Sequence, residues 1–291
     1  GIGLQTQSMA KLVGDDGKAV GTDISNMMVE IARSRTASFG LPLEFLIADA
    51  VAQPFPDHSF DCIRIERVLM YIKDTQAVLR EFKRLLRPGG RVVAFDFDWD
   101  AMVIAHKDKA LTRRIVRYAS DSFPNGRVGG ELFQHMRSVG FNNIRVKPFS
   151  YSGNGLILLD ITKRIYEGVL QTGVSDNVFS ESEIADWWKA LEEDAEEGNL
   201  LLSYQGFIVA GRVDAADTRK PPDTPKPPGA PDLPPGPSKQ PPGPFKQPPA
   251  PSKPFPVPPG HPESPAVKPE IDPDIPEKPG PPLSDPDAPH G

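Results

Sequence analysis

Cysteine occurs once in this chain, at Cys62, so no intrachain disulfide framework can hold it together. The residue sits in the apolar run Phe60 to Ile65 and is expected on a buried strand. An excess of basic charge is also lacking. Residues 1–213 carry 25 Lys and Arg against 28 Asp and Glu, with no basic stripe, so a nucleic-acid footprint is not favoured. No apolar run approaches the roughly 18 to 20 residues that a membrane helix needs, so no membrane span is expected. No metal site is expected either, and the expected location is cytoplasmic. Proline is sparse over the first two thirds and then dominates: 29 of the 35 prolines lie from Pro221 onward.

That shift divides the chain. Residues 1–213 have ordinary globular composition and length for one domain with a sizeable core. Residues 214–291 are low-complexity, with few backbone donors and little apolar surface. They are expected to be a disordered, polyproline II-like tail reaching on the order of 200 Å at about 3.1 Å per residue.

Within the first part, helical and strand patterns alternate. Leu4 to Val13 reads as a helix, Ala19 to Ile24 as a strand, and Ser25 as the cap of a helix to about Ser38, with Ile24 and Val29 placed as a hydrophobic staple. Leu43 to Ala48 and Asp61 to Val68 read as strands. Asp74 caps a helix whose Val78, Leu79, Phe82, Leu85 and Leu86 share a face. Pro88-Gly89-Gly90 stops it before a strand at Arg91 to Phe97. A helix at Gly130 to Val139 ends on Gly140, a strand covers Asn143 to Phe149, and a long last strand runs from Leu200 to Val213. Such alternation predicts an α/β fold with a mostly parallel sheet and helices on both faces. Ala101 to Ser122 and Gly155 to Glu197 read as helical insertions. The second has a capping box, Ser180 with Glu183, ahead of Ile184, Trp187, Trp188 and Leu191. Insertions at the ligand edge of an open sheet can form a lid, or the tryptophans can simply pack the helix down.

The chemistry gathers at the strand ends. Gly1-Ile-Gly3 opens the chain, and Asp23 closes the apolar run that follows twenty residues later. Glycines let backbone approach a ligand at a helix N-terminus, and an acid at the end of the next strand accepts hydrogen bonds from ribose hydroxyls. Asp49-Ala50 ends the next strand, where an acid can take an adenine amino group. Glu66 leaves the strand after that, and can face the cofactor or pair with Arg64 or Arg67. Asp57 and Asp61 read as turn-forming residues.

In order and spacing, Gly1 to Val213 resembles a class I S-adenosylmethionine-dependent methyltransferase of the methyltransferase type 11 group, which includes quinone C-methyltransferases. That resemblance implies a Rossmann-like, doubly wound sheet with an antiparallel last strand, Leu200 to Val213. It implies that Gly1 and Gly3 are the last two glycines of the cofactor loop. Asp23 would hold the ribose, Ile24 and Met28 would pack on the adenosine, and Asp49 with Ala50 would meet the adenine edge; Met28 can equally be helix core. The strand that precedes such a loop is not in this sequence, so the chain reads as cut within the loop. As cut, it is expected to be marginally folded and inactive.

Methyl transfer from a sulfonium needs alignment more than a dedicated catalytic group. Candidates for a base follow the strand at Arg91 to Phe97: Asp98 and Asp100 foremost, with Asp96 beside them and His106 further on, since histidine suits proton transfer near neutrality. The acceptor is expected to be a small molecule, with an apolar or aromatic one favoured by the aromatic insertions. A nicotinamide dehydrogenase would require a small residue where Thr6 stands. A separate reading makes the tail an interaction segment. Its Pro-x-x-Pro spacings, such as Pro222 with Pro225 and Pro228 with Pro231, resemble ligands of aromatic-lined grooves, against the plainer role of a spacer.

Overall fold

A computed structural model of the chain describes residues 1–215. The tail readings therefore lie outside the described residues. Gly3 introduces helix α1 (Leu4–Val13), which leads to strand β1 (Ala19–Asp23), helix α2 (Asn26–Thr36) and strand β2 (Leu43–Ile47). Strand β3 (Phe60–Glu66) is followed by a 3-10 turn (Leu69–Tyr71), helix α3 (Thr75–Leu85) and the long strand β4 (Leu86–Ile104). Helices α4 (Lys109–Asp121) and α5 (Val128–Val139), strand β5 (Asn142–Gly153), helices α6 (Leu156–Ser175) and α7 (Glu181–Glu196), and strand β6 (Leu202–Arg212) complete the order.

The strands form two sheets. β1 and β2 pair in parallel, with Asp23 opposite Ile47. The second sheet has the order β3-β4-β6-β5, in which β3 and β4 are parallel and β6 is antiparallel to both its neighbours. The antiparallel last strand is thus as expected. Each sheet has its own apolar cluster. Val29, Ala32 and Phe45 pack with Leu43 under β1 and β2, while the main core runs from Ile65 through Leu79, Ile115, Leu132 and Trp187 to Val209. Among the described residues no helix is long and apolar enough to cross a membrane.

Local chemistry sets most of the boundaries. Ser25, Asp74, Asp108 and Ser180 each cap a helix by accepting a backbone N–H, and Ser180 with Glu183 completes a capping box. Gly140 ends α5 in the left-handed region, where a side chain is disfavoured. Val78, Leu79, Phe82 and Leu85 form the buried face of α3, as their spacing requires.

Several expectations are corrected. Ile24 is 71% exposed while Val29 is buried, so no hydrophobic staple forms. Cys62 is only half-buried, and its Sγ accepts the Arg91 Nε–H at 3.5 Å. Ala101 to Ile104 do not begin a helix. They continue β4, where Met102 and Ile104 are buried, Ala101 and Val103 are exposed, and Val103 pairs with Ser203. Period-two burial decides the matter once β6 is alongside. Asp96, Asp98 and Asp100 consequently lie within β4 rather than after it.

Candidate functional site

In parallel pairs the carboxyl ends of the strands are where loops gather and ligands bind. Asp23 ends β1. Its Oδ1 accepts the Ser25 N–H at 2.8 Å, its Oδ2 meets the Gly1 amino group, and its backbone carbonyl takes the Ala48 N–H at 3.0 Å. Those contacts bring the opening glycines, the end of β1 and the exit from β2 together. Gly3 has φ +84°, and a Cβ there would lie 2.9 Å from both Ala32 Cβ and Phe45 Cζ, so only glycine lets α1 start this close to α2 and β2. Gly21 serves the same packing, since a Cβ would come 2.5 Å from Thr6 Oγ1.

Next to the acid, Ile24 and Met27 stand in solvent at 71% and 58% exposure, while Met28 is half-buried and its N–H closes the Ser25 cap. The end of β2 repeats the arrangement. Asp49 is exposed, its Oδ1 accepts the Val51 N–H at 3.1 Å, Val51 is 38% exposed, and Ala50 leans on the main core. Each strand end thus offers a carboxylate beside an aliphatic side chain that is at least partly exposed.

Glu66, at the end of β3, is not a free carboxylate. It pairs with Arg64 and lies 3.5 Å from Arg67 Nε, with only 16% of its side chain exposed. Asp57 lies in a turn as expected and pairs with Arg84, whereas Asp61 lies within β3 and pairs with Arg87, so it is a strand residue and not a turn-forming one. Arg84 also donates to the carbonyls of Gln53 and Phe55, tying the exit of β2 to α3.

The candidate bases fall in different surroundings. Asp98 is half-buried, and burial raises its carboxyl above the usual range, opposed by the backbone N–H groups of Asp100 and Ala101 and by the charge of Arg127. It faces Gly130 at the start of α5, where a Cβ would come 2.4 Å from its Oδ2. Asp100 is exposed and 3.9 Å from Arg127 Nε. His106 accepts the Asp108 N–H through Nδ1 at 2.9 Å, and its ring lies 5.8 Å from that of Trp187. Trp187 itself is 1% exposed, donates to Thr112 Oγ1 at 2.9 Å, and belongs to the core; packing, not lid duty, is its role. Trp188 is half-buried against the Trp187 ring.

Two features of this edge escaped the sequence. Asp96 is fully buried and takes three backbone N–H groups from the loop after β3, at Val68, Leu69 and Met70. That loop carries Tyr71, 44% exposed, whose ring meets Phe123 edge-on at 5.9 Å; Phe123 in turn stacks on Trp99 at 5.0 Å. The available signal was an acid at an inward position of an otherwise apolar alternation, Val92, Ala94, Asp96.

The methyltransferase domain family matches residues 1–94. The likeness to a methyltransferase domain thus covers about the first third of the chain. A ubiquinone/menaquinone biosynthesis C-methyltransferase from Hahella chejuensis is 41% identical over 99 residues, 33% of this chain and 40% of that protein. An uncharacterised 37.1 kDa protein of transposon TN4556 from Streptomyces fradiae is 37% identical over 152 residues, 52% of this chain and 44% of that protein. The chain spans less than half the length of these relatives. Among solved structures, the YcgJ protein of Bacillus subtilis aligns with a TM-score of 0.44 at 17% identity, over 68% of this chain and 82% of that one. The methyltransferase match covers the strand ends bearing Asp23, Asp49 and Glu66, and stops within β4.

Proposed function

We propose that the domain transfers a methyl group from S-adenosylmethionine to a small-molecule acceptor. The observation that carries this reading is the repeated pairing of an acid with an exposed aliphatic side chain, Asp23 with Ile24 and Asp49 with Val51, inside the segment that matches the methyltransferase family. A nucleoside has that dual character, with hydroxyl and amino donors on an apolar frame, so the residues present fit it. Asp23 would accept from the ribose hydroxyls, Asp49 from the adenine amino group, and Ile24, Met28 and Ala50 would cover the base and sugar. Gly1 leaves backbone room, a Cβ there meeting nothing within 4 Å, while Gly3 lets α1 start against Ala32 and Phe45. Glu66, held by Arg64 and Arg67, would border the methionyl end as part of an ion-paired cluster rather than as a lone charge.

Bound S-adenosylmethionine supplies a methyl group already activated on a sulfonium. This chain's residues then align the acceptor and exclude water. Asp98 is the favoured base for an acceptor that must lose a proton, because burial raises its carboxyl above the usual carboxylate range. The aromatic row Tyr71, Phe123 and Trp99 supports an apolar, ring-bearing acceptor, in line with the quinone named for one relative. Residues 1–213 are proposed as the domain and residues 214–291 as a separate tail, in a cytoplasmic setting without nucleic acid as partner. The tail's part, spacer or ligand for an aromatic groove, is decided by pull-down with residues 214–291.

Isothermal titration of the chain with S-adenosylmethionine and, separately, with nicotinamide dinucleotides tests the assignment. Saturable binding of S-adenosylmethionine that Asp23→Ala abolishes is the expected result. Binding of a dinucleotide in its place would sink the proposal.

A further inference from the structure

We propose that Asp96 is a positioning residue: by holding the backbone of residues 68–70, it sets the Tyr71 hydroxyl as a hydrogen-bond donor at the acceptor side of the methyl-transfer site. The proposal rests on that site's assignment above.

Asp96 lies inside β4 opposite Phe207 and has no exposed surface. A carboxylate so placed needs partners, and here all of them are amides. Oδ2 accepts from Val68 at 3.2 Å, Leu69 at 2.9 Å and Met70 at 3.4 Å, and Oδ1 from Phe97 at 3.2 Å. Burial pushes its carboxyl up to about 7 against the pull of those four amides, with no cation among its causes. Three of the four amides belong to one loop, so the acid acts as a peg for that loop.

The loop needs one. Arg67 enters it with φ +54°, a left-handed conformation that persists in a long side chain only when the surroundings impose it. The Arg67 N–H donates to the Phe95 carbonyl at 2.9 Å on one side, and Asp96 takes the next three amides on the other. The Met70 carbonyl then receives the Asn125 N–H at 3.0 Å, and the Met70 sulfur the Trp99 indole N–H at 3.1 Å. With its backbone fixed at every residue from 67 to 70, the loop delivers Tyr71 with little freedom.

Tyr71 leaves the turn half-exposed, with one ring edge on Phe123. Burial raises its phenol first, the charge of Asp96 raises it further, and Arg67 opposes both, so it remains a neutral donor. The other charged groups at this end are Glu66 with its arginines, Asp98, and Asp100 with Arg127. A donor beside a row of aromatic rings suits an acceptor that carries an oxygen on an apolar ring.

The test follows amide exchange of residues 66–72 in the full chain, for wild type, Asp96→Asn and Tyr71→Phe, with and without S-adenosylhomocysteine. The Tyr71 phenol is titrated in parallel from the absorbance difference between wild type and Tyr71→Phe. Asp96→Asn should speed exchange at Leu69 and Met70 by about tenfold or more while Val92 to Ala94 stay protected by β3 and β6. S-adenosylhomocysteine should shift the Tyr71 titration in wild type and not in Asp96→Asn. If the compound binds wild type and leaves both Tyr71 and the loop amides unmoved, the proposal is overturned. It is equally overturned if Asp96→Asn exchanges like wild type at residues 68–70. Should that variant fail to fold, the wild-type arm on Tyr71 decides alone. Absence of binding by wild type overturns the methyl-transfer reading itself, and this proposal with it.

Discussion

At Gly3 the backbone sits at φ +84°, and the space where a Cβ would go is filled by Ala32 and the Phe45 ring. Gly3→Ala adds a left-handed penalty to an overpacked contact, and should cost about 2–4 kcal/mol in a urea melt. Asp96 sets a different expectation, in pH. Its carboxyl stands at about 7 in the fold against an ordinary value of 3.8, so the fold favours the protonated form. The stabilisation is complete below pH 3.8 and is lost as pH rises through about 7. Across that window wild type should lose up to about 4 kcal/mol relative to Asp96→Asn, read as the pH dependence of the difference between the two urea midpoints. A flat difference would mean that Asp96 ionises as freely in the fold as outside it. The places of Asp23 and Asp49 at the ends of β1 and β2 were legible because an acid closing a short apolar run needs no other part of the chain to stand out. The role of Asp96 was not, because its partners lie 26 to 28 residues earlier and their amides leave no mark in the sequence.

Among the elements, α7 was written locally. Ser180 and Glu183 cap it whatever it packs on, and Ser180→Ala should cost about 1 kcal/mol by thermal or urea denaturation. What α7 does with its face depended on α4. Trp187 is buried there, with its indole N–H on Thr112, so Trp187→Ala should cost about 3–5 kcal/mol, far more than loss of a mobile lid would. β4 shows the opposite case to α7. Its first residues include Pro88-Gly89-Gly90, which reads as a stop, and its last residues read as the start of a helix. Leu86 opposite Phe60 and Ile104 opposite Leu202 extend it in both directions, and neither partner is near in sequence.

On the scale of the whole molecule, the described chain holds two sheets with separate apolar clusters, a small one of Val29, Ala32 and Phe45 and a large one spanning β3 to β6. Local opening follows the extent of buried apolar surface, so the β1 and β2 amides should exchange markedly faster than those of β4 and β6, in a native-state exchange experiment on the full chain. Uniform protection across both sheets would contradict this division. The sequence by itself determined the order and type of the elements, their caps, and the acids at the ends of β1 and β2, because each depends on periodicity or on side chains within a few residues. Tertiary structure alone decided the extent of β4, the ion pairing of Glu66, the burial of Trp187, and the peg that Asp96 provides to the loop bearing Tyr71. Those outcomes depend on which backbone amides and side chains are brought together from distant segments, and burial then sets what a buried charge or an open strand edge must find as a partner.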